Sequence, residues 1–341
     1  MTSTSSIPEI GAAESIEFQG LRLPAAFTTI EQEFRALREG AAVYDASFRA
    51  WIRAVGEDRV GFLQGMLTND VRVLAAPVYA AVLTQQGKVV SDLRVHGAED
   101  HILLDVPAHA AAEVRAALER YVVADDVELE PDPSVLIGLE GPQAPSLLAR
   151  MDVAWPERSV ETSLAGQEVR LVPSGNAGEA GVVIGCALAA APSVWRVLRD
   201  AGAQAAGWRA LDVARIEAGI PLVGVDMDDN TLIMEADIPA AISFSKGCYL
   251  GQEVVERIAA RGHVNRRRIG LVFDAEPVPP RALLSAAGAE VGWVTSSARS
   301  PLSGRVVGMG YVRREQLAEG TRLEVAGGGS AEVMPLPADA R

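Results

Sequence analysis

Lys246-Gly247-Cys248-Tyr249-Leu250-Gly251-Gln252-Glu253 follows Ile242-Ser243-Phe244, which reads as a strand end, and runs into a helix over 252–261. Val254, Val255 and Ile258 give that helix an apolar stripe, Glu253 and Arg257 stand at i,i+4 spacing, and Gly262 stops it. Gly247 and Gly251 bracket a cysteine that lies just ahead of the helix N-terminus, two residues from Lys246. Free N–H groups and an ammonium both favour thiolate over thiol. The competing reading is a small apolar filler, the commonest fate of a free cysteine. Cys186, in Val182-Val183-Ile184-Gly185-Cys186-Ala187, reads as core. His263 lies beyond the helix, which is about 15 Å long, so a Cys–His catalytic pair is not expected.

Working outward, the 341 residues predict two or three domains, and a hydrophobic content of 49% can fill substantial cores. The net charge of −14 argues against direct nucleic-acid binding. One basic run breaks the acidic background: Arg257, Arg261, His263, Arg266, Arg267 and Arg268. It reads either as a solvated helix end and turn or as a site for an anionic ligand. Only Lys88 and Lys246 are lysine among 31 basic residues, which directs attention to what each ammonium does. Two cysteines make neither a disulfide framework nor a structural zinc site, so no metal is expected. No apolar run is long enough to span a bilayer and the first residues lack the pattern of a secretory signal, so a cytoplasmic location is expected.

The pattern of elements predicts helices over 29–40, 58–67, 108–121, 146–151, 193–201 and 208–218. A β-hairpin is expected from 79–84 and 89–95 around Gln85-Gln86-Gly87-Lys88. From Arg268 onward, short β-like runs broken by Pro and Gly suggest a separate small β domain. Strand–strand–helix units without strict alternation indicate an α+β class. Residues 1–19 are expected to be a flexible lead-in, 20–264 two intertwined α+β lobes, and 265–341 the β-barrel domain. Asp226, Asp228 and Asp229 read as solvated turn carboxylates. No nucleotide-binding glycine motif follows a strand.

Several strings together resemble one family. Arg215-Ile216-Glu217-Ala218-Gly219-Ile220-Pro221, the Lys246–Glu253 string, Phe62 through Thr68-Asn69-Asp70, and Gly87-Lys88-Val89 to Asp92 look like the YgfZ family, relatives of the glycine-cleavage T-protein, an aminomethyltransferase. The similarity runs from about residue 20 to 315. The resemblance implies a three-lobed T-protein-like fold with a C-terminal β-barrel, built around a tetrahydrofolate site. By the same resemblance, Glu179 in Gly178-Glu179-Ala180-Gly181 meets the pterin, Arg215 lies beside the folate, Tyr79 lines the site, and Asn69 and Asp70 sit where the folate channel is approached, with Asp92 counted among the folate-binding residues. Cys248, with Lys246, would carry the chemistry.

One departure weighs on the activity. T-proteins carry two adjacent aspartates in the early hairpin, and here Ser91-Asp92 stands in their place. A serine cannot supply the anion that aminomethyl transfer uses, and Asp92, its strand neighbour, is expected on the opposite face. The resemblance therefore leads to a tetrahydrofolate-binding accessory protein that assists iron–sulfur cluster assembly or repair, including that of tRNA-modifying enzymes, with iron–sulfur client or assembly proteins as partners. The alternative is a folate-dependent aminomethyl or one-carbon transferase.

Overall fold

The computed structural model describes Ile7 and residues 10–337. They form two compact units: residues up to Val82 with Val90–Leu211 and Ala240–Leu250, and Leu83–Val89 with Asp212–Pro239 and everything from Gly251. The class is α+β, with a C-terminal barrel of six strands.

In the first unit, a six-stranded sheet runs in the order Val160–Leu164, Gln167–Pro173, Gly181–Cys186, Val135–Glu140, Ala42–Asp45, Gln204–Ala205. Its central strands Gly181–Cys186, Val135–Glu140 and Ala42–Asp45 are buried on both faces, while the outer Val160–Leu164 is largely exposed. Helices Ala144–Arg150 and Ala191–Asp200 supply Leu147, Leu148, Val194, Trp195 and Leu198 to its core. Each such side chain, fully buried, contributes about 1.5–3 kcal/mol. Cys186 belongs to this core, and burial pushes its thiol up to about 11, which leaves it inert. Gly138 is obligatory here: a Cβ would sit 2.1 Å from the ring of Tyr44.

The same unit holds a five-stranded sheet in the order Val78–Leu83, Val89–Gly97, Ile102–Pro107, Arg49–Val55, Glu128–Pro131. Its first two strands belong to the hairpin read around Gly87, whose tip Leu83–Val89 is counted with the second unit, and Gly87 takes φ 72°, which only glycine adopts without strain. Helices Arg59–Met66 and Ala111–Glu119 pack Phe62, Leu63, Val114 and Leu118 against Leu93, Val95 and Leu104. Helix Ile30–Glu39 starts where the sequence indicates, with the Thr29 hydroxyl accepting from the Gln32 N–H at 3.3 Å.

In the second unit, the closed barrel runs Arg266–Phe273, Val306–Arg313, Ala289–Arg299, Leu283–Ala286, Arg322–Val325, Ser330–Met334. Closure leaves no open sheet edge. Inward-facing Leu271, Val294, Val312, Leu323 and Val333 fill it. Helix Gln252–Arg261 ends at Gly262 with φ 74°, and Glu253 pairs with Arg257.

Four readings change. Most residues before 10 lie outside the described residues, but Ile7 is buried in the first core, and Glu14–Phe18 is a strand paired with Leu21–Ala26. Alternating Ile16 and Phe18 explain that strand, since the Phe18 ring meets Trp208 at 4.2 Å. Ile242-Ser243-Phe244 is not a strand, because the Ser243 N–H donates to Thr68 O, in a turn, instead of a ladder. Asp226 is fully buried rather than solvated, while Asp228 and Asp229 stay on the turn. Leu283–Ala286 and Ser330–Met334 complete the barrel, although both are too short and polar to announce themselves. Among the described residues, no helix is long and apolar enough to cross a membrane.

Candidate functional site

The strand Val89–Gly97 sorts its side chains by parity. Ser91 shares a face with Leu93 and Val95, is fully buried, and spends its hydroxyl on Asp92 O at 2.8 Å. Asp92 and Arg94 project from the other face. There the Tyr79 hydroxyl donates to Asp92 Oδ2 at 2.8 Å. Tyr79 and Arg94 line a cavity of about 380 Å³ whose walls include Trp155, Pro173, Ser174 and Gly175. An aspartate at position 91 would carry its charge into the apolar core, so Ser91 is no measure of what the cavity lacks. Asp92 lies on the same strand face as Arg94, buried behind the cavity wall and joined to it through Tyr79.

The loop 174–181 forms the opposite wall, and buried charge holds it. Glu140 ends an apolar strand and accepts from the N–H groups of Asn176 and Ala177 at 2.7 Å and of Glu179 at 3.1 Å. The Tyr44 hydroxyl adds a fourth bond at 2.9 Å. Burial raises the Glu140 carboxyl above its ordinary value even though these donors oppose it. Glu179 itself points to Arg38, with its Oε1 3.2 Å from Nη1, while its neighbours Ala180 and Gly181 line the cavity.

Arg94 ties the sheet to this loop. It donates to Ser174 Oγ at 3.0 Å, Asn176 Oδ1 at 3.1 Å and Gly175 O at 2.6 Å. Behind it, Asp105 is 0% exposed and takes bonds from Arg49 Nε at 2.9 Å and Ser174 Oγ at 2.9 Å. Burial alone would raise the Asp105 carboxyl; the charges of Arg49 and then Arg94 outweigh it and hold the group below the usual carboxylate range. The sequence reading missed Arg49, Arg94, Asp105, Glu140 and Trp155. A signal existed for Asp105, a lone charge inside Ile102-Leu103-Leu104-Asp105-Val106.

His96, next along this face, is buried and neither ring nitrogen has a partner among the described residues. Burial pushes it down to about 4 from 6.5. A depressed native pKa means that the unfolded chain binds the proton first. The contribution of His96 to stability is therefore complete above pH 6.5 and is lost as pH falls toward 4, by about 3 kcal/mol. Urea midpoints measured across that window should fall for the native chain and stay flatter in His96→Leu; equal slopes in both would show that His96 is not the group responsible.

Lys246 is only 6% exposed, and its ammonium donates to three main-chain carbonyls: Gln64 at 2.6 Å, Leu67 at 2.5 Å and Asn69 at 3.0 Å. These are the free carbonyls at the end of helix Arg59–Met66 and the turn after it, groups that a cation suits. Burial pushes the amine down to about 8. Asn69 continues the chain of contacts, with Nδ2 donating to Tyr79 O at 2.8 Å. Lys246, Asn69, Tyr79 and Asp92 are thus joined in series. Tyr249 is the second buried anchor of this loop, its ring 5.2 Å from the Lys246 ammonium. Between and before these anchors, Phe244, Ser245, Gly247 and Cys248 are exposed.

Arg215 belongs to the second unit. It is 4% exposed, and its guanidinium is occupied by Asp226, by Asp212 at 2.8 Å and by Ser296 Oγ at 3.0 Å. Asp226 accepts further bonds from Thr295 and Ser296 at 2.6 Å. Burial opposes both charges, but mutual attraction raises the arginine and lowers the aspartate. The geometry is that of a buried ion pair.

Residues 9–246 match the family described as the GCVT N-terminal domain, and residues 266–338 the glycine cleavage T-protein C-terminal barrel domain. An aminomethyltransferase of Rubrobacter xylanophilus is 32% identical over 89% of this chain and 84% of its own length. One of Saccharopolyspora erythraea is 30% identical over 98% and 97%. The crystal structure of glycine cleavage system aminomethyltransferase T from Bartonella henselae superposes with a TM-score of 0.91 at 25% identity, covering 99% of this chain and 98% of that one.

Proposed function

We propose, from the premise that this chain belongs to the glycine cleavage T-protein family, that it binds tetrahydrofolate in the Tyr79–Arg94 cavity and transfers a one-carbon unit to it, as an aminomethyltransferase-type enzyme. The observation that carries this reading is Asp92: a carboxylate held by Tyr79 on the cavity side of its strand. The cavity fits a pterin in kind. Trp155 and Tyr79 offer aromatic faces, Arg94 offers a cation, and the volume of about 380 Å³ lies within the usual ligand range.

When bound, tetrahydrofolate supplies the nitrogen atoms that accept the one-carbon unit. The protein's part is electrostatic and positional. Asp92 would supply a fixed negative charge beside the cavity able to stabilise a cationic folate nitrogen, and the Tyr79 hydroxyl fixes the direction of that carboxylate. Arg94 spends its donors on the 174–176 loop, which keeps the facing wall at its distance before ligand arrives. Glu179, on the rim, reaches a polar ligand edge only by leaving Arg38.

A second reading, an accessory role in iron–sulfur cluster maintenance, rests on one specific observation: Cys248 is exposed on a loop fixed by Lys246 and Tyr249. A thiol so presented is available to a partner protein or a cluster in transit.

Titration with tetrahydrofolate should give saturable binding, and its absence would sink both readings. Formation of methylene-tetrahydrofolate from an aminomethylated carrier should then follow. If folate binds but no transfer occurs with any aminomethyl donor, and Cys248→Ala abolishes support of iron–sulfur enzyme activity in cells, the second reading replaces the first.

A further inference from the structure

The barrel carries a second aromatic and cationic site within the second unit. Trp293 and Tyr311 face each other across adjacent strands, with ring centroids 5.2 Å apart and planes 25° from parallel. The Arg266 guanidinium lies 4.8 Å from the Trp293 ring centre and 5.7 Å from that of Tyr311. Two cavities of about 550 and 370 Å³ flank this stack, and Arg266, Trp293 and Tyr311 line both. The larger adds Arg313, Arg314, Glu290 and Glu315.

Two features make the stack incomplete as a purely structural device. Arg266 stands directly opposite Arg313 in the sheet, an unfavourable pairing of like charges. Glu235 offsets Arg266 at 3.0 Å, whereas Arg313 is exposed and makes no ion pair among the described residues. A planar ring bearing an anionic group supplies the negative charge that this cationic edge lacks and finds the aromatic stack beside it.

We propose that this groove binds a free nucleoside monophosphate, with the base against the Trp293–Arg266 stack and the phosphate at Arg313, since Arg314 is held by Glu315 at 2.8 Å. Stacking on aromatic and guanidinium planes is the general means of holding a base. Glu290 adds a carboxylate able to accept from the amino and imino groups of guanine. The chain's net charge of −14 disfavours a long polyphosphate strand, which selects the single nucleotide. The inference does not depend on folate binding.

The experiment is calorimetric titration of the full chain with GMP. Saturable binding is expected, and Trp293→Leu should weaken it about tenfold or more. Arg313→Glu, at an exposed position that leaves folding untouched, should weaken it about tenfold as well. Inorganic phosphate and guanosine should each bind about tenfold more weakly than GMP, and Asp92→Asn, beside the other cavity, should bind GMP as the native chain does. Absence of saturation at millimolar GMP overturns the proposal, as does undiminished affinity in Arg313→Glu or equal binding by phosphate alone.

Discussion

Asp92→Asn should lower the rate of one-carbon transfer to tetrahydrofolate about 10²- to 10³-fold, the usual cost of removing one preorganised group that stabilises developing charge. Asparagine keeps the volume and the acceptor for the Tyr79 hydroxyl, so the fold and the cavity wall persist. Folate affinity should change by only a few-fold, because the lost interaction matters most in the transition state. Single-turnover rates and binding titrations on the same protein separate the two effects. A loss below about tenfold would remove Asp92 from the chemistry. Ser91→Asp is the complementary test. It restores the residue expected of a T-protein, but at a fully buried position beside Leu93 and Val95, and should cost stability without raising the rate. A gain in activity from that substitution would return the missing aspartate to the centre of the argument.

Arg215→Met should destabilise the protein by about 3–5 kcal/mol, because Asp226 would be left buried without its partner and would shift upward. Removing both charges in Arg215→Met/Asp226→Asn should recover part of that loss, and the double-mutant cycle measures how much. The pH dependence follows from the lowered pKa of Asp226. The pair's contribution is complete above the unfolded value of 3.8 and is lost as pH falls below it. In Arg215→Met the loss at low pH should shrink. Denaturant midpoints provide the readout. Should Arg215→Met keep its midpoint and lose only folate affinity, the arginine is a ligand contact and the buried-pair description fails.

How far the sequence could be read depended on the range of each signal. Helices at 30–39 and 252–261 were legible because caps, stripes and stop residues are local. The hairpin around Gly87 was legible for the same reason, and the shared strings near residues 62–70 and 246–253 carried the fold class. Face assignment was harder. The alternation that separates Ser91 from Asp92 was visible, but which side holds the cavity depends on Arg94 and Tyr79 meeting the 174–181 loop, a contact between residues some 80 positions apart. Arg215 shows the same limit. Its neighbours Ile216-Glu217-Ala218-Gly219 gave no hint that Asp226 and Ser296 would fill its guanidinium. Buried charge networks assemble from distant strands, so they escape any window along the chain.

The Lys246 ammonium grips main-chain oxygens alone, and that gives its loop an unusual freedom to change over evolutionary time. Substitutions at positions 64, 67 and 69 leave a carbonyl where each one was, provided the backbone keeps its path. The exposed positions between and before the anchors (Phe244, Ser245, Gly247, Cys248) contribute no bond to Lys246. A lineage could exchange the displayed side chains, and with them the molecules that dock there, without renegotiating the fold beneath.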